Sequence, residues 1–246
     1  MLRDKILEWA KHDASISLSD NFENRLDQFI ECVNEEEGVD NILVWLKDIK
    51  DNLQAEVVEI NLSDVSDGWN LNDETGNLEH QTGGFFKVIG IRTETSIRES
   101  GKGWNQPMVD QGTEASVVGL IRKKIDGVSK YLIEAKFEPG NYDRVLLSPT
   151  LQVTYDNLNS FHSGRKPLFS EYFHGDQKLG ITMFEHWYPE DGGRFYKKRV
   201  KNMLVETEDD IDIPYNFAWM NMYQLKELLK IDNLMNPHLR SIISYL

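Results

Sequence analysis

Over the first fifty residues, apolar side chains return every three or four positions. Ile6, Leu7, Trp9 and Ala10 share one face, and Phe22, Leu26, Phe29, Ile30 and Val33 a second. Ile42, Leu43, Trp45, Leu46 and Ile49 make a third. That period predicts three amphipathic helices, and Asn21 stands where it can cap the second. Residues 1–55 therefore read as a helical segment that packs on a core. From about residue 56 the period shortens. AEVVEINL (55–62), GFFKVIGIRTE (84–94), SVVGLIRKK (116–124) and KYLIEAKFE (130–138) are β-rich runs separated by Gly, Asn and Asp. They predict strands. Asp126-Gly127 predicts a hairpin between the last two. TMFEHWY (182–188) and RFYKKRVKNMLVE (194–206) predict another pair. Helical spacing returns with Trp219, Met222, Leu225, Leu228 and Leu229, and Pro237 opens a last helix to Leu246. Helices at both ends of a strand-rich middle make an α+β fold, with residues 56–246 as one module.

Composition narrows the function classes. Of 246 residues, 40% are hydrophobic and 11% aromatic, enough for a packed core. A formal net charge of −14 argues against nucleic acid or an anionic membrane as partner, because both are polyanions. The single cysteine, Cys32, has no intramolecular disulfide partner and falls on an apolar helix face, which reads as inert core in a reducing compartment. The N-terminus MLRDKILEWAKHD is charged throughout, unlike a signal peptide, and no apolar run approaches the roughly 18 residues of a membrane span. A cytoplasmic protein is expected.

Three polar clusters interrupt otherwise apolar runs: GWNQPMV (103–109), EAKFEPGN (134–141) and SPTLQVTYDN (148–157). Polar strand faces of this composition line a site more often than they face bulk water. Trp104 sets an aromatic plate beside Asn105, Gln106 and Pro107. Lys136 and Glu138 alternate with apolar residues before Pro139-Gly140, and Thr150, Gln152, Thr154, Asp156 and Asn157 add more polar groups. Arg194, Lys197, Lys198, Arg199 and Lys201 crowd into eight positions after Gly192-Gly193. As a strand, Arg194, Tyr196, Lys198 and Asn202 would share one face, and Lys197, Arg199 and Lys201 the other. A cationic face in an acidic chain suits a diphosphate. Trp104, Tyr155, Phe161 and Tyr196 are candidates to stack on a nucleobase, and Asn105, Gln106 or Asn157 to read its edge.

These clusters, in this order, resemble the NDP-hexose 2,3-dehydratase family. DGWNLNDETGNLEHQTGGFFKVIGI (67–91) is similar to its N-terminal signature, and 191–206 and 217–246 to its C-terminal region. The resemblance covers nearly the whole chain. One departure is plain: the family carries two copies of the motif set, and here each motif occurs once. The resemblance implies a Nudix-hydrolase-like mixed sheet sandwiched by helices. It implies a dTDP-linked 4-keto-6-deoxy sugar as substrate, losing water across C2 and C3 to a 3,4-diketo product that a downstream 3-ketoreductase captures. That elimination needs a base near C3, a donor to the C4 oxygen and an acid at the C2 oxygen. Glu138, Lys136, His80 and Tyr155 are the candidates, with Trp104, Asn105, Gln106, Thr150, Gln152, Asn157, Arg194, Tyr196, Lys198, Arg199 and Asn202 as binding residues. The reaction has no net redox change, so no cofactor is expected, and no Gly-rich dinucleotide motif occurs. A single module predicts a homodimer that rebuilds the two-module arrangement.

Rival chemistries lack their residues. No Arg-Glu-x-x-Glu-Glu string follows a glycine, since Glu35-Glu36-Glu37 precedes Gly38 without the required arginine. His162, His174 and His186 with Glu185 lack zinc-ligand spacing. Ser163-Gly164 is not part of a Gly-x-Ser-x-Gly elbow. A non-catalytic nucleotide-sugar-binding module and an isomerase of 4-keto sugar nucleotides remain the alternatives.

Overall fold

The computed structural model describes residues 2–13, 22–33, 37–94, 103–158 and 166–246. Asn21, Phe161, His162 and Ser163-Gly164, singled out above, lie outside the described residues. The three N-terminal helices form as the periodicity predicts: α1 (Leu2–His12), α2 (Phe22–Val33) and α3 (Asp40–Asn52). Ile42, Leu46 and Ile49 on one face of α3 enter the same core as Val118, Leu120, Tyr131 and Ile133 of the sheet. Trp45 Nε1 donates to the Tyr215 carbonyl at 2.9 Å, which ties α3 to the C-terminal half.

Residues 55–62 do not form the predicted strand. They run without regular secondary structure into a short turn at Leu62–Asp64, with no ladder partner among the described residues, and Val57, Val58 and Ile60 are exposed. High β-propensity yields a strand only where another strand offers its edge. Four antiparallel strands follow in sequence order: β1 (Trp69–Leu71), β2 (Leu78–His80), β3 (Lys87–Thr93) and β4 (Trp104–Asp110). Pro107 is tolerated in β4 because that strand pairs in a full ladder only with β3.

The second sheet is mixed. Strands β5 (Glu114–Ile125) and β6 (Val128–Phe137) are the predicted hairpin. Asp126 and Gly127 have φ of +52° and +81°, the left-handed pair that a two-residue turn requires. β10 (Arg199–Glu206) lies parallel to β5, and β9 (Ile181–Pro189) lies antiparallel to β10 at one edge. β11 (Phe217–Asn221) occupies the other edge, beside β6.

β5 and β6 pair only at their hairpin end, Arg122 to Ile125 against Val128 to Tyr131, and then diverge. β7 (Val145–Ser148) follows β6 out of the fork, and β8 (Leu151–Thr154) follows β5. Thr150 sits at the branch. Its hydroxyl donates to the Leu132 carbonyl at 2.5 Å and accepts from the Ile121 N–H at 2.9 Å, so it bridges the two backbones where their own pairing ends.

The carboxyl-terminal helices correct one boundary. Trp219 belongs to β11 opposite Leu132, not to a helix. Asn221 ends the strand because its side chain accepts from the Gln224 N–H while the Gln224 side chain accepts from the Asn221 N–H, starting α5 (Met222–Leu228). α6 (Pro237–Ile243) opens at Pro237 as predicted, with Asn236 as its cap. α3, α5 and α6 cover one face of the mixed sheet. Phe169, Tyr172 and Phe173 cover the other. A one-turn helix, α4 (Tyr155–Leu158), follows β8, so the predicted polar strand stops at Thr154.

Candidate active site

The fork collects polar groups that a continuous sheet would have excluded. Glu134 and Lys136 alternate along β6, and Glu138 follows at the strand's end. A compact turn holds Glu138: its N–H donates to the Arg144 carbonyl, its carbonyl accepts from Asn141, and Asp143 pairs with Lys50 of α3. From the opposite arm, Gln152 donates to Glu138 Oε1 at 2.9 Å, and Lys136 donates to the Gln152 carbonyl at 3.2 Å. Asn236 closes the ring. Its amide donates to Gln152 Oε1 and to Ser148 Oγ, both at 2.8 Å, while its oxygen caps α6.

α6 then delivers His238 to the same place. Its Nε2 lies 3.8 Å from Glu190 Oε1, and Lys198 reaches that oxygen at 3.5 Å. Burial pushes the His238 imidazole below its ordinary range. Glu190 and Glu138 oppose that shift, and Lys198 and Lys136 reinforce it, so all four charges are felt at this ring. Burial also lowers Lys198 against Glu190, and raises the Glu134 carboxyl against Lys136. The result is a half-buried set of ionisable side chains in which burial raises the Glu134 carboxyl and lowers His238 and Lys198. Groups shifted in opposite senses by their surroundings are characteristic of acid–base sites.

The predicted binding residues divide. Gln152, Glu138, Lys136 and Lys198 fall in this cluster. Asn202 lies beneath α6, opposite Val118 in the ladder that also pairs Val118 with Gln152, and its Oδ1 is buried without a hydrogen-bond partner. Thr150 does not face a ligand: it is buried, and both its bonds go to backbone. Tyr155 is near enough to Lys201 to favour its charged form, and the Tyr155 ring meets His174 edge-on with centroids 6.1 Å apart. Lys201 precedes Asn202 in β10, so Tyr155 lies toward the opposite face of the sheet from Asn202. Asn157 is exposed on α4.

His80 is a structural residue of the small sheet. Its Nδ1 is 2.8 Å from Thr82 Oγ1 and its Nε2 2.8 Å from the Asp67 carbonyl, and its ring packs on Trp69 and Phe85. Trp104 donates to Gln106 at 2.8 Å, and Gln106 donates to the Gly193 carbonyl at 3.0 Å, which joins the small sheet to the 193–196 segment. Asn105 turns to the other face, toward Arg92. Asn105, Gln106 and Pro107 line a shallow cleft of about 490 Å³.

The cationic cluster is not a continuous strand face. Arg194 to Tyr196 dock on β4 through Val109, Lys197 turns with φ +51°, and β10 starts only at Arg199. Four of its cations are neutralised: Arg194 by Asp191, Lys198 by Glu190, Arg199 by Glu114 and Lys201 by Glu185. Lys197 lies over the Tyr196 ring at 5.1 Å. The carboxylates come from other turns and strands, which a local count of basic residues does not register.

Glu134, Glu190, Asn236 and His238 belong to the cluster and were not singled out from sequence. Glu134 had a signal, because it shares the two-residue period of Lys136 and Glu138. His238 and Asn236 reach the fork from about one hundred residues away, and no local pattern announces that.

A forked mixed sheet with a cluster of ionisable side chains between its arms defines an α+β protein. The comparison with known families is more specific. The family profile described as NDP-hexose 2,3-dehydratase matches residues 39–246. A dTDP-4-dehydro-6-deoxy-alpha-D-glucopyranose 2,3-dehydratase of Saccharopolyspora spinosa is 36% identical over 176 residues, 72% of this chain and 36% of that protein. The enzyme of the same name from Amycolatopsis orientalis is 33% identical over 211 residues, 84% of this chain and 44% of that protein. This chain belongs to the NDP-hexose 2,3-dehydratase family, and it spans less than half the length of those curated relatives. Among solved structures it is similar to two hydrolases. They are an ADP compounds hydrolase, with TM-score 0.42 at 11% identity over 65% of this chain and 83% of that one, and the C. elegans Ap4A hydrolase at 0.30 and 16% over 54% and 97%. A likeness of that size carries no functional argument.

Proposed function

We propose that this chain eliminates water across C2 and C3 of a dTDP-4-keto-6-deoxyhexose. Family membership supports the reaction, and the observation that carries it to particular residues is the half-buried set of Glu134, Lys136, Glu138 and His238. Glu138, held by Gln152, takes the C3 proton, which the C4 ketone acidifies. Electrons move into the C3–C4 bond, and Lys136 offsets charge on the C4 oxygen. The C2–oxygen bond then breaks, and Glu134 or His238 supplies the proton that lets the hydroxyl leave as water. The resulting enol tautomerises to the 3,4-diketone, with no electrons gained or lost overall.

The proposal extends to context. Residues 1–55 act as a helical layer on the 56–246 module, the protein works in the cytoplasm without nucleic acid or membrane, and a 3-ketoreductase consumes the reactive product. Two copies pair as a homodimer. The outer edge of β9, unpaired among the described residues, and the exposed apolar segment around Val57, Val58 and Ile60 support an interface between copies. The experiment is incubation with dTDP-4-keto-6-deoxyglucose, with and without a 3-ketoreductase, and weighing of the products. Loss of one water is the expected result. Unchanged mass with a moved carbonyl would make the protein an isomerase, and unchanged substrate with tight dTDP binding a binding module. A sedimenting monomer at micromolar concentration would contradict the dimer.

A further inference from the structure

Glu190 and Lys198 face each other across the neck of the β9–β10 hairpin. Arg199 pairs with Pro189 at the end of the ladder, and one step further the Glu190 N–H donates to the Lys198 carbonyl at 3.1 Å. Their side chains meet at 3.5 Å. At 8% exposure for Lys198 and 16% for Glu190, they are the most buried of the four ion pairs in this segment. The Lys198 ammonium also lies over the Phe195 ring at 4.6 Å. Burying two charges costs desolvation that their attraction seldom more than repays, so stability alone does not account for this pair. Its third neighbour does. His238 Nε2 of α6 stands 3.8 Å from the same Glu190 oxygen that Lys198 approaches, a Coulombic contact longer than a hydrogen bond.

The hairpin neck is braced from the small sheet. The 191–196 turn closes on Asp191, whose carboxylate accepts from the Gly193 N–H at 2.8 Å and from Arg194 Nε at 2.9 Å. β4 then holds the turn at three points. The Val109 N–H donates to the Arg194 carbonyl and the Tyr196 N–H to the Val109 carbonyl, both at 2.8 Å, and Gln106 donates to the Gly193 carbonyl. Trp104 donates to the Gln106 side-chain oxygen, which leaves the amide nitrogen facing Gly193. Trp104 and Gln106, which the proposed elimination does not use, thus steady the turn between Glu190 and Lys198. The charged groups acting on the His238 ring come from two places: Glu190 and Lys198 from this neck, and Glu138 and Lys136 from the end of β6. The carboxylates favour the imidazolium and the ammonium groups oppose it.

We propose that Glu190 and Lys198 are positioning residues for the reaction, Glu190 orienting the His238 imidazole at the fork and Lys198 fixing Glu190 in place. The assignment rests on the reading of the chain as a dehydratase, with His238 giving a proton to the departing C2 hydroxyl. Its test is the titration of His238 by NMR in the intact protein carrying isotope-labelled histidine, alongside kcat against pH. The His238→Gln spectrum assigns the resonance. Glu190→Gln removes a negative charge and is expected to lower the His238 midpoint by about one pH unit. Lys198→Met removes a like charge and frees Glu190 for the imidazole, so it is expected to raise the midpoint by about as much. In each variant kcat is expected to fall about tenfold with KM nearly unchanged, and the limb of its pH profile set by His238 to move with the midpoint. A purely structural pair would lower the urea midpoint and leave both curves in place. Both substitutions are near-isosteric and circular dichroism checks the fold; because the expected shifts have opposite signs, either folded variant decides. Unmoved midpoints would overturn the positioning role and leave the dehydratase reading standing. Moved midpoints with an unmoved kcat profile would overturn it as well, since His238 would then stand outside the reaction. Failure of the unaltered protein to release water from dTDP-4-keto-6-deoxyglucose would overturn the dehydratase reading and this role with it, whatever the titrations show.

Discussion

Substituting Thr150 by valine removes one oxygen and keeps the side chain's shape, which makes it the sharpest probe of how the fork is held. The loss is two hydrogen bonds, from the Ile121 N–H and to the Leu132 carbonyl, at a position only 2% exposed. An abandoned buried backbone group costs about 1–3 kcal/mol, so the pair together costs about 2–6 kcal/mol. Against a total stability of about 5–15 kcal/mol for a typical domain, that is a large fraction. Urea unfolding followed by far-UV circular dichroism should show a clearly lowered midpoint for Thr150→Val with an unchanged slope, and near-normal behaviour for Thr150→Ser, which keeps the hydroxyl. The loosened fork should also raise Gln152 and Glu138 mobility and lower turnover. If Thr150→Val unfolded at the midpoint of the unaltered protein yet lost substrate binding, the hydroxyl would belong to a ligand and the fork argument would be wrong.

Three further outcomes follow from the cluster. Glu138→Gln should lower kcat at least about a hundredfold while the protein stays folded, and undiminished turnover would remove Glu138 as the base. His238 titrates below the ordinary 6.5 in the fold, so between those values the unfolded chain binds more protons and stability falls as pH drops through about 6.5. His238→Gln should flatten that acid limb, and an unchanged limb would show that His238 is not the group responsible. His80→Ala should cost about 1–2 kcal/mol in urea and leave turnover intact, because both ring nitrogens serve the Asp67 turn. A collapse of kcat without loss of stability would put His80 back in the chemistry.

Local physics made much of this fold legible. Asp126-Gly127 dictates left-handed backbone and so its hairpin, Pro237 fits only the first turn of a helix, and the 3.6-residue stripes of α1 to α3 need a core to face. Lys136 and Glu138 were readable because two-residue alternation puts them together whatever the fold. Thr150 looked equally like a ligand group, since a polar residue in an apolar run has the same appearance whether it meets substrate or backbone. The basic run at 194–201 misled for a related reason: its partners Glu114, Glu185 and Glu190 arrive from the start of β5, from β9 and from the turn after β9. Asn236 and His238 complete the cluster only because Leu147 pairs with Met235, a contact between positions far apart in the sequence. The strand predicted at 55–62 failed because propensity says nothing of whether an edge is available.

The most direct measurement is a crystal structure with the 4-hydroxy analogue of the dTDP sugar, which lacks the ketone and cannot eliminate. The account predicts the sugar's C2 and C3 between Glu138 and His238. Density for the sugar on the small sheet beside His80, or on the Tyr155 face, would contradict it.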